Sequence, residues 1–201
     1  MNEAANKVMN DDQRDMLAEI TNIAMGQAGD QLAQLLDVFV TLSIPSIRML
    51  HALDLAKEIT TTPLLPLDIT VARQGFVGPM RGEAIVIYGK EGCTELSDLM
   101  GYEGDQSPQA TLELLLDVTN IIVGACVNGI ASQINLKTHF SSPSIVTDDE
   151  ILETLVNPTA LPWKYALLMD INFALEARSF TCRLLMCAPE ESIAPILEEL
   201  N

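Results

Sequence analysis

The sequence predicts an α+β fold in which two long helices cover an antiparallel sheet. Apolar residues recur with helical spacing over about 12–36 and again over about 109–134. Shorter segments between them, bounded by turns that contain glycine and proline, have the apolar alternation of hairpin strands. Helix and strands follow in the same order in both halves of the chain, which predicts an internal duplication with pseudo-two-fold symmetry.

A repeat within the chain is the strongest of these observations. The segment TNIAMGQAGDQLAQLLDVFVTLSIPSI, which begins at Thr21, aligns without gaps on TNIIVGACVNGIASQINLKTHFSSPSI, which begins at Thr119. Two copies indicate duplication inside one domain, since a solenoid needs three or more units. We therefore predict a single domain over 1–201, with a first repeat at about 11–101, a second at about 109–200, and a monomeric state.

The first repeat is predicted to begin with its long helix, for which Asn10, Asp11 or Asp12 serves as the N-cap. One continuous strand, a short helix, a proline-rich link, a hairpin with the turn GFVGPMRG and a closing helix follow. The expected bounds are about 38–47 for the strand, 53–59 for the short helix, 67–76 and 83–89 for the hairpin, and 94–100 for the closing helix.

The second repeat is predicted to follow the same order. After strand residues at about 136–146, Thr147 and Glu150 form a capping box for a helix over 148–156. Strands at about 166–176 and 179–187 and a helix at about 192–200 complete the repeat. The strand at 166–176 predicts a sheet with one covered and one solvated face. The residues of its two faces are Leu167, Met169, Ile171, Phe173 and Leu175 on the covered side, and Asp170, Asn172 and Glu176 on the other.

Charge and hydropathy exclude several classes of partner. The chain has 11 Lys and Arg against 28 Asp and Glu, a net charge of −17, so it lacks the clustered basic residues that nucleic-acid binding needs. The apolar run LLLDVTNIIVGACVNGIA is interrupted by Asp117, Asn120 and Asn128, which argues against a membrane span. The start MNEAANKVMNDD has no signal-peptide pattern. We expect a cytoplasmic protein with neither nucleic acid nor membrane as a partner.

Cysteines and histidines do not form a recognisable site in the sequence. The four cysteines, Cys93, Cys126, Cys182 and Cys187, have no CxxC or Cys/His spacing, which predicts reduced thiols in the core rather than a metal centre. His51 and His139 stand alone, which is more typical of ordinary surface histidines than of catalysis. A metabolic enzyme with its own pocket is disfavoured, because no nucleophile or Gly-rich phosphate loop stands out.

A polar stripe runs along each predicted long helix. The stripe of the first helix consists of four residues spaced four, three and four apart: Asp15, Glu19, Asn22 and Gly26. Apolar residues predicted to pack on the sheet lie on its other faces: Leu17, Ile20, Ala24 and Leu35. The second helix repeats the spacing with Glu113, Asp117, Asn120 and Gly124. One such stripe is most often the solvated side of an amphipathic helix. Its repetition favours a functional role, since the glycine lowers helix stability by about 1 kcal/mol and leaves room for another protein's backbone.

With a later proline, the stripe resembles a known signature. Asp15, Glu19, Asn22 and, after a further twenty-two residues, Pro45 resemble the pattern of the CheC, CheX and FliY family, the bacterial chemotaxis phosphatases that dephosphorylate the receiver protein CheY. The second copy fits the same spacing with Glu113, Asp117, Asn120 and Pro143. Two copies in a chain of 201 residues resemble CheC more than the single-motif CheX or the longer FliY. The resemblance implies a CheC-like fold.

The resemblance also implies a role for each residue. Glu19 is expected to pair with the active-site lysine of a phosphorylated CheY-like receiver, while Asn22 orients the water that attacks the aspartyl phosphate. Asp15 would support the helix face or the docking, and Pro45 would hold the backbone. The required Mg²⁺ belongs to the receiver, so no cofactor or metal is expected in this chain.

The second site departs from the family pattern. Asp117 stands where the family has Glu, which shortens the reach of the carboxylate, and Glu113 replaces the usual Asp or Ser. Asn120 keeps the expected catalytic amide. We therefore expect the first site to carry most of the activity.

Two further interpretations stay open at this stage. One is a non-catalytic module that binds the phosphorylated receiver or CheD, the receptor deamidase that CheC relatives bind. The other is a structural relative such as the middle domain of a flagellar switch protein, which is disfavoured because such domains lack the Glu and Asn pair. Asn22 discriminates between catalysis and docking, because binding alone needs no amide to orient a water.

Overall fold

The computed structural model describes residues 9–51, 54, 69–89, 95–96, 99, 107–146 and 165–199. The helices predicted over 53–59 and 148–156, and the proline-rich link, lie almost entirely outside these residues. Glu95, Leu96 and Leu99 are helical, as the helix predicted at 94–100 requires.

The elements whose bounds lie within the described residues are three α-helices, a short 3₁₀ turn and eight strands. In chain order they are α1 (Asp11–Leu36), β1 (Val40–Leu42), β2 (Ser46–His51), β3 (Ile69–Val77), β4 (Gly82–Gly89), α2 (Pro108–Gln133), β5 (His139–Phe140), β6 (Ser144–Val146), β7 (Tyr165–Leu175), β8 (Thr181–Pro189), the 3₁₀ turn (Glu190–Ser192) and α3 (Ala194–Glu199).

The eight strands form one antiparallel sheet. The hydrogen-bonded order is β1-β7-β8-β4-β3-β5, with β2 also paired to β7 and β6 also paired to β3. Corresponding strands of the two halves pair in the same way: Ile47 of β2 lies opposite Met169, and Ile145 of β6 lies opposite Ala72. The predicted mixed α and antiparallel β class is confirmed. The internal duplication, its pseudo-two-fold symmetry and the bounds of the two repeats stay predictions.

The strand expected at 38–47 is two short strands in the structure. β1 ends at Leu42 and β2 begins at Ser46, with Ile44 at the break 90% exposed. Pro45 has no amide hydrogen to donate to a ladder, so the pairing is interrupted there. The strand expected at 136–146 is divided in the same way around Pro143. Alternation alone did not locate either break.

The first helix begins where a capping box stops the chain from fraying. The Asn10 side chain accepts a 2.8 Å hydrogen bond from the Gln13 backbone, and the Gln13 side chain accepts a 3.1 Å bond from the Asn10 backbone. The first of the three predicted caps is therefore the correct one. At the other end, Asp37 takes a left-handed conformation with φ of 52° and closes the helix.

The two long helices pack against each other in opposite directions. Gly129 of α2 faces Ala24 of α1, while the Gln133 side chain, further along α2, donates a 3.1 Å hydrogen bond to the carbonyl of Ile20, earlier in α1. Residues 109–133 are long and apolar enough to span a membrane, but 61% of the most apolar window is buried within the protein. We interpret α2 as a core helix.

The main hydrophobic core lies between the helices and one face of the sheet. It contains Leu17 and Ala24 of α1 and the predicted inward row of β7, all of which are buried. Leu35 is an exception to the prediction, because it is 39% exposed. It lies in the last turn of α1, next to the end of the helix.

The second face of the sheet is not the solvated surface that the sequence predicts. Asp170 on that face is 11% exposed and accepts two hydrogen bonds from Arg183, of 2.8 and 2.6 Å. A small apolar cluster lies on the same face: Val71, Ile85, Ile87, Val146, Leu168, Leu185 and Cys187. The ion pair supplies each buried charge with a partner, which is what allows these charges to leave water.

Candidate functional site

The stripe predicted on α1 is present and turned outward. Asp15, Glu19, Asn22 and Gly26 are all exposed. The neighbouring Thr21 fixes this orientation, because it is fully buried and its hydroxyl donates a 2.7 Å hydrogen bond to the carbonyl of Leu17. Since successive residues of a helix are rotated by about 100°, burying Thr21 turns Asn22 toward solvent.

Neither stripe carboxylate of α1 has a partner within the described part of the chain. Asp15 and Glu19 make no ion pair or side-chain hydrogen bond there. Arg14, the nearest described cation in the sequence, donates a 2.8 Å hydrogen bond to Asp11 instead. The carboxylate of Glu19 is therefore available to a cation on another molecule. The side-chain amide of Asn22 likewise has no hydrogen bond to a described residue.

Open space and apolar side chains border this first site. A Cβ atom built on Gly26 would have nothing within 4 Å. Met16, beside Asp15, is 46% exposed, and Ile23, beside Asn22, is 42% exposed. Sequence patterning missed these two side chains as part of the site. Exposed apolar groups around a few polar ones are typical of a surface that binds another protein.

The stripe on α2 is also present. Glu113, Asp117 and Asn120 are exposed, and a Cβ atom on Gly124 would again meet nothing within 4 Å. Thr119 is buried as Thr21 is, and its hydroxyl donates a 2.7 Å hydrogen bond to the carbonyl of Leu115. The two helices thus present the same order of residue types by the same local device.

The asparagines of the two stripes differ in their contacts. The Gln74 side chain of β3 donates a 2.8 Å hydrogen bond to Oδ1 of Asn120 and a 2.9 Å bond to the carbonyl of Ser141. Gln74 was missed from the sequence, although a signal existed. It shares the core-facing side of β3 with Ala72 and Phe76, where a polar side chain is out of place and needs a partner.

The two stripes form separate sites. The contacts between Ala24 and Gly129 and between Ile20 and Gln133 place α1 and α2 in opposite directions. Asn120 therefore lies level with about residue 33 of α1, eleven residues beyond Asn22, which corresponds to about 16 Å along the helix axis. The two stripes therefore lie at different levels along the helix pair.

The two prolines of the predicted signature lie away from the helical stripes in sequence and hold strand breaks. Two residues before Pro45, the amide of Ser43 donates a 3.0 Å hydrogen bond to the carbonyl of Asn172. Two residues before Pro143, the amide of Ser141 donates a 3.0 Å bond to the carbonyl of Gly75. Both prolines are half-buried, as expected for residues that shape the backbone.

Other candidate groups do not assemble into a reactive centre. Among the described residues, no three His, Cys, Asp or Glu side chains converge as metal ligands would. Burial raises the pKa of Cys126 and Cys187 to about 12, so both thiols stay protonated. The described cysteines are buried as predicted, and Cys93 lies outside the described residues. His51 packs edge-on against Tyr165, with 5.2 Å between ring centroids.

The chain is similar to proteins of bacterial chemotaxis and the flagellar switch. Residues 13–47, which include the first site and Pro45, match the family model described as CheC-like. FliY from Thermotoga maritima is similar over the whole fold, with a TM-score of 0.70, 16% identity, and 96% of this chain and 97% of that chain covered. The fold is CheC-like. The resemblance to the CheC, CheX and FliY family is thereby confirmed.

Solved structures of differently named proteins share the CheC-like fold. CheX from Desulfovibrio desulfuricans has a TM-score of 0.55 at 15% identity, covering 84% of this chain and 99% of that chain. The FliM middle domain from H. pylori has a TM-score of 0.65 at 12% identity, covering 96% of this chain and 99% of that chain. A comparison with curated protein sequences finds no match. At such low identities the comparisons show a shared CheC-like fold, and a shared fold does not determine the activity of this chain.

Proposed function

We propose that this protein hydrolyses the aspartyl phosphate of a phosphorylated CheY-like receiver domain. One observation carries the proposal: each long helix exposes a carboxylate and an amide three residues apart, with a bare glycine one turn further on. The pairs are Glu19 with Asn22 and Asp117 with Asn120. Their duplication on two surfaces of one fold is not needed to stabilise either helix.

The chemistry of the reaction suits this small set of groups. Hydrolysis of an aspartyl phosphate needs a water held in line with the leaving carboxylate, and positioning with electrostatic stabilisation supplies most of the catalysis. The amide of Asn22 can accept one hydrogen bond from a water and donate another. The receiver supplies the phosphoryl group, its carboxylate, its lysine and the Mg²⁺ that neutralises the developing charge. This chain has only to insert the amide and hold the two surfaces together.

Docking at the first site has an electrostatic and an apolar component. The carboxylate of Glu19 makes no ion pair with a described residue. It can therefore pair with a lysine of the receiver in the interface, where docking removes water from both groups. Met16 and Ile23, which both lie along one side of the stripe, supply apolar area at the rim of the same contact. Gly26 allows the receiver's backbone to approach α1 closely.

A non-catalytic docking module is the second candidate function. The likeness to the FliM middle domain favours it, because that domain shares the fold. A module that only binds a phosphorylated receiver or CheD needs the carboxylate and the apolar rim, but not the amide. The two functions therefore differ in what the asparagines contribute.

The decay of a phosphorylated receiver from the same organism tests the proposal. The assay compares the wild-type protein, the double variant Asn22→Ala/Asn120→Ala and, as a control, Gln31→Ala, which removes an exposed amide of α1 outside the stripe. We expect the wild type and the control to accelerate decay equally and the double variant to accelerate it far less. If wild-type protein binds the receiver without accelerating decay, the docking function replaces the enzymatic one.

A further inference from the structure

We infer that Gln74 is a positioning residue for the second site, because it fixes the side-chain amide of Asn120. This inference rests on the proposed function and deepens it. It also assigns the two sites different properties: the amide of the second site is held from beneath by the sheet, while the amide of the first site is not.

The orientation of both amides follows from a single acceptor. The carbonyl oxygen of Ser141 can only accept, so the Gln74 atom 2.9 Å away from it is the nitrogen. That nitrogen donates to Asn120 at 2.8 Å, so the facing atom of Asn120 is its oxygen. The amino group of Asn120 is then the amide atom that does not face the Gln74 nitrogen. It carries two donors that can bind a water or a phosphoryl oxygen.

Gln74 is itself immobilised by burial. The residue is 1% exposed, and it lies on the core-facing side of β3 between Ala72 and Phe76. Its Oε1 atom is buried and has no hydrogen-bond partner among the described residues. Leaving a buried amide oxygen unsatisfied is costly, so a core built only for stability would favour an apolar side chain here. The bond to Asn120 gives the glutamine a purpose that packing does not.

The corresponding position beneath the first site lacks this device. β6 pairs with β3 through Ile145 and Ala72, and β2 pairs with β7 through Ile47 and Met169. The residue of β7 that corresponds to Gln74 is therefore Ile171, two residues beyond Met169. Ile171 is fully buried and cannot hydrogen-bond to Asn22. Only one of the two asparagines can be held from the sheet in this way.

A fixed amide should favour catalysis at the second site, whereas the shorter side chain of Asp117 should disfavour it. An amide already held in place loses less conformational freedom when the receiver docks, and more of its encounters place the water correctly. The second site then loses reach at its carboxylate and gains order at its amide. Removing Gln74 should lower kcat at the second site and leave the half-saturating receiver concentration nearly unchanged.

The test uses Gln74→Met, which keeps the length and shape of the side chain, and Gln74→Leu as a second apolar replacement. Each is made in two backgrounds: Asn22→Ala, where only the second site works, and Asn120→Ala, where only the first site works. We expect kcat for receiver dephosphorylation to fall about tenfold in the first background and to be unchanged in the second. A general loss of folding would lower kcat in both. Equal kcat with and without Gln74 in the first background overturns the inference.

Side-chain NMR gives a readout that does not depend on activity. The resonances of the two asparagine amides are assigned by their loss in Asn22→Ala and Asn120→Ala, and their order parameters are measured in the full-length protein. We expect the Asn120 amide to be more ordered than that of Asn22, and to lose this order in Gln74→Met. Equal mobility of both amides in the wild type overturns the inference. If the Asn120 amide is ordered but no protein accelerates decay, the proposed function fails and the positioning by Gln74 stands.

Discussion

Gly129 and Ala24 bring the two long helices into backbone contact. A Cβ atom on Gly129 would lie 2.7 Å from the Cβ and 2.9 Å from the Cα of Ala24, closer than real Cβ atoms approach. These helical glycines therefore have different effects. Gly129 allows the two helices to pack closely, whereas Gly26 and Gly124 leave open space on the outer surface of the helices.

Alanine substitution should separate these two kinds of glycine. Gly129→Ala must push the helices apart and should lower the free energy of unfolding by about 1–3 kcal/mol, the usual cost of overpacking. Gly26→Ala meets no atom and should raise the free energy of unfolding by about 0.5–1 kcal/mol through helix propensity. Urea denaturation of the two variants measures both. A destabilised Gly26→Ala would contradict the assignment of open space.

A larger side chain on Gly26 should block docking without harming the fold. In the Asn120→Ala background, we expect Gly26→Gln to raise the half-saturating concentration for receiver dephosphorylation by at least about tenfold, because a clash at the interface costs more than 1.4 kcal/mol. Ala194→Gln, at an exposed position of α3, is the matched control and should have no effect. Identical kinetics for both variants would exclude Gly26 from the docking surface.

The buried thiols should resist alkylation in the folded protein. The pKa of Cys126 and of Cys187 is raised to about 12 by burial, so their reactive thiolate is nearly absent at about pH 8. We expect mass spectrometry of peptides to find neither cysteine modified by iodoacetamide in the native state and both modified in denaturant. Rapid native labelling of Cys126 would contradict its position in the core.

Glu83 should make stability depend on pH in a defined direction. Burial raises the pKa of Glu83 above its usual 4.5, although Arg73 at 3.7 Å lowers it in part. The folded state then binds a proton more tightly than the unfolded state, so stability is lost as the pH rises through the folded pKa. Relative to wild type, Glu83→Gln should gain stability as the pH rises from 4.5 toward neutrality. A constant difference across this range would show that Glu83 is not desolvated.

Both stripes could be predicted from the sequence because a helix converts spacing directly into position. Four residues spaced four, three and four apart must lie on one face, and the repeated buried threonine keeps that face outward. The strand β7 was predictable for the same reason, since alternation identifies the row of its side chains that packs against the helices. These are properties of single elements, and they require no knowledge of how elements pack.

The features that were missed depend on contacts between distant segments. Gln74 and Asn120 are 46 residues apart, and only the packing of α2 on β3 brings them together. The strand breaks at Pro45 and Pro143 reflect how far each short strand stays paired with its long neighbour. The buried pair of Asp170 and Arg183 needed the register of β7 against β8, which places Asn172 opposite Arg183 and Asp170 two residues away on the same face.

The most direct test of the central claim is the decay rate of a phosphorylated receiver measured as a function of its concentration. The proteins are the wild type and Asn22→Ala/Asn120→Ala. If the amides position the attacking water, the double variant should lose about a hundredfold or more in kcat while its half-saturating concentration stays close to that of the wild type. A raised half-saturating concentration with kcat preserved would assign the asparagines to binding alone and contradict the account.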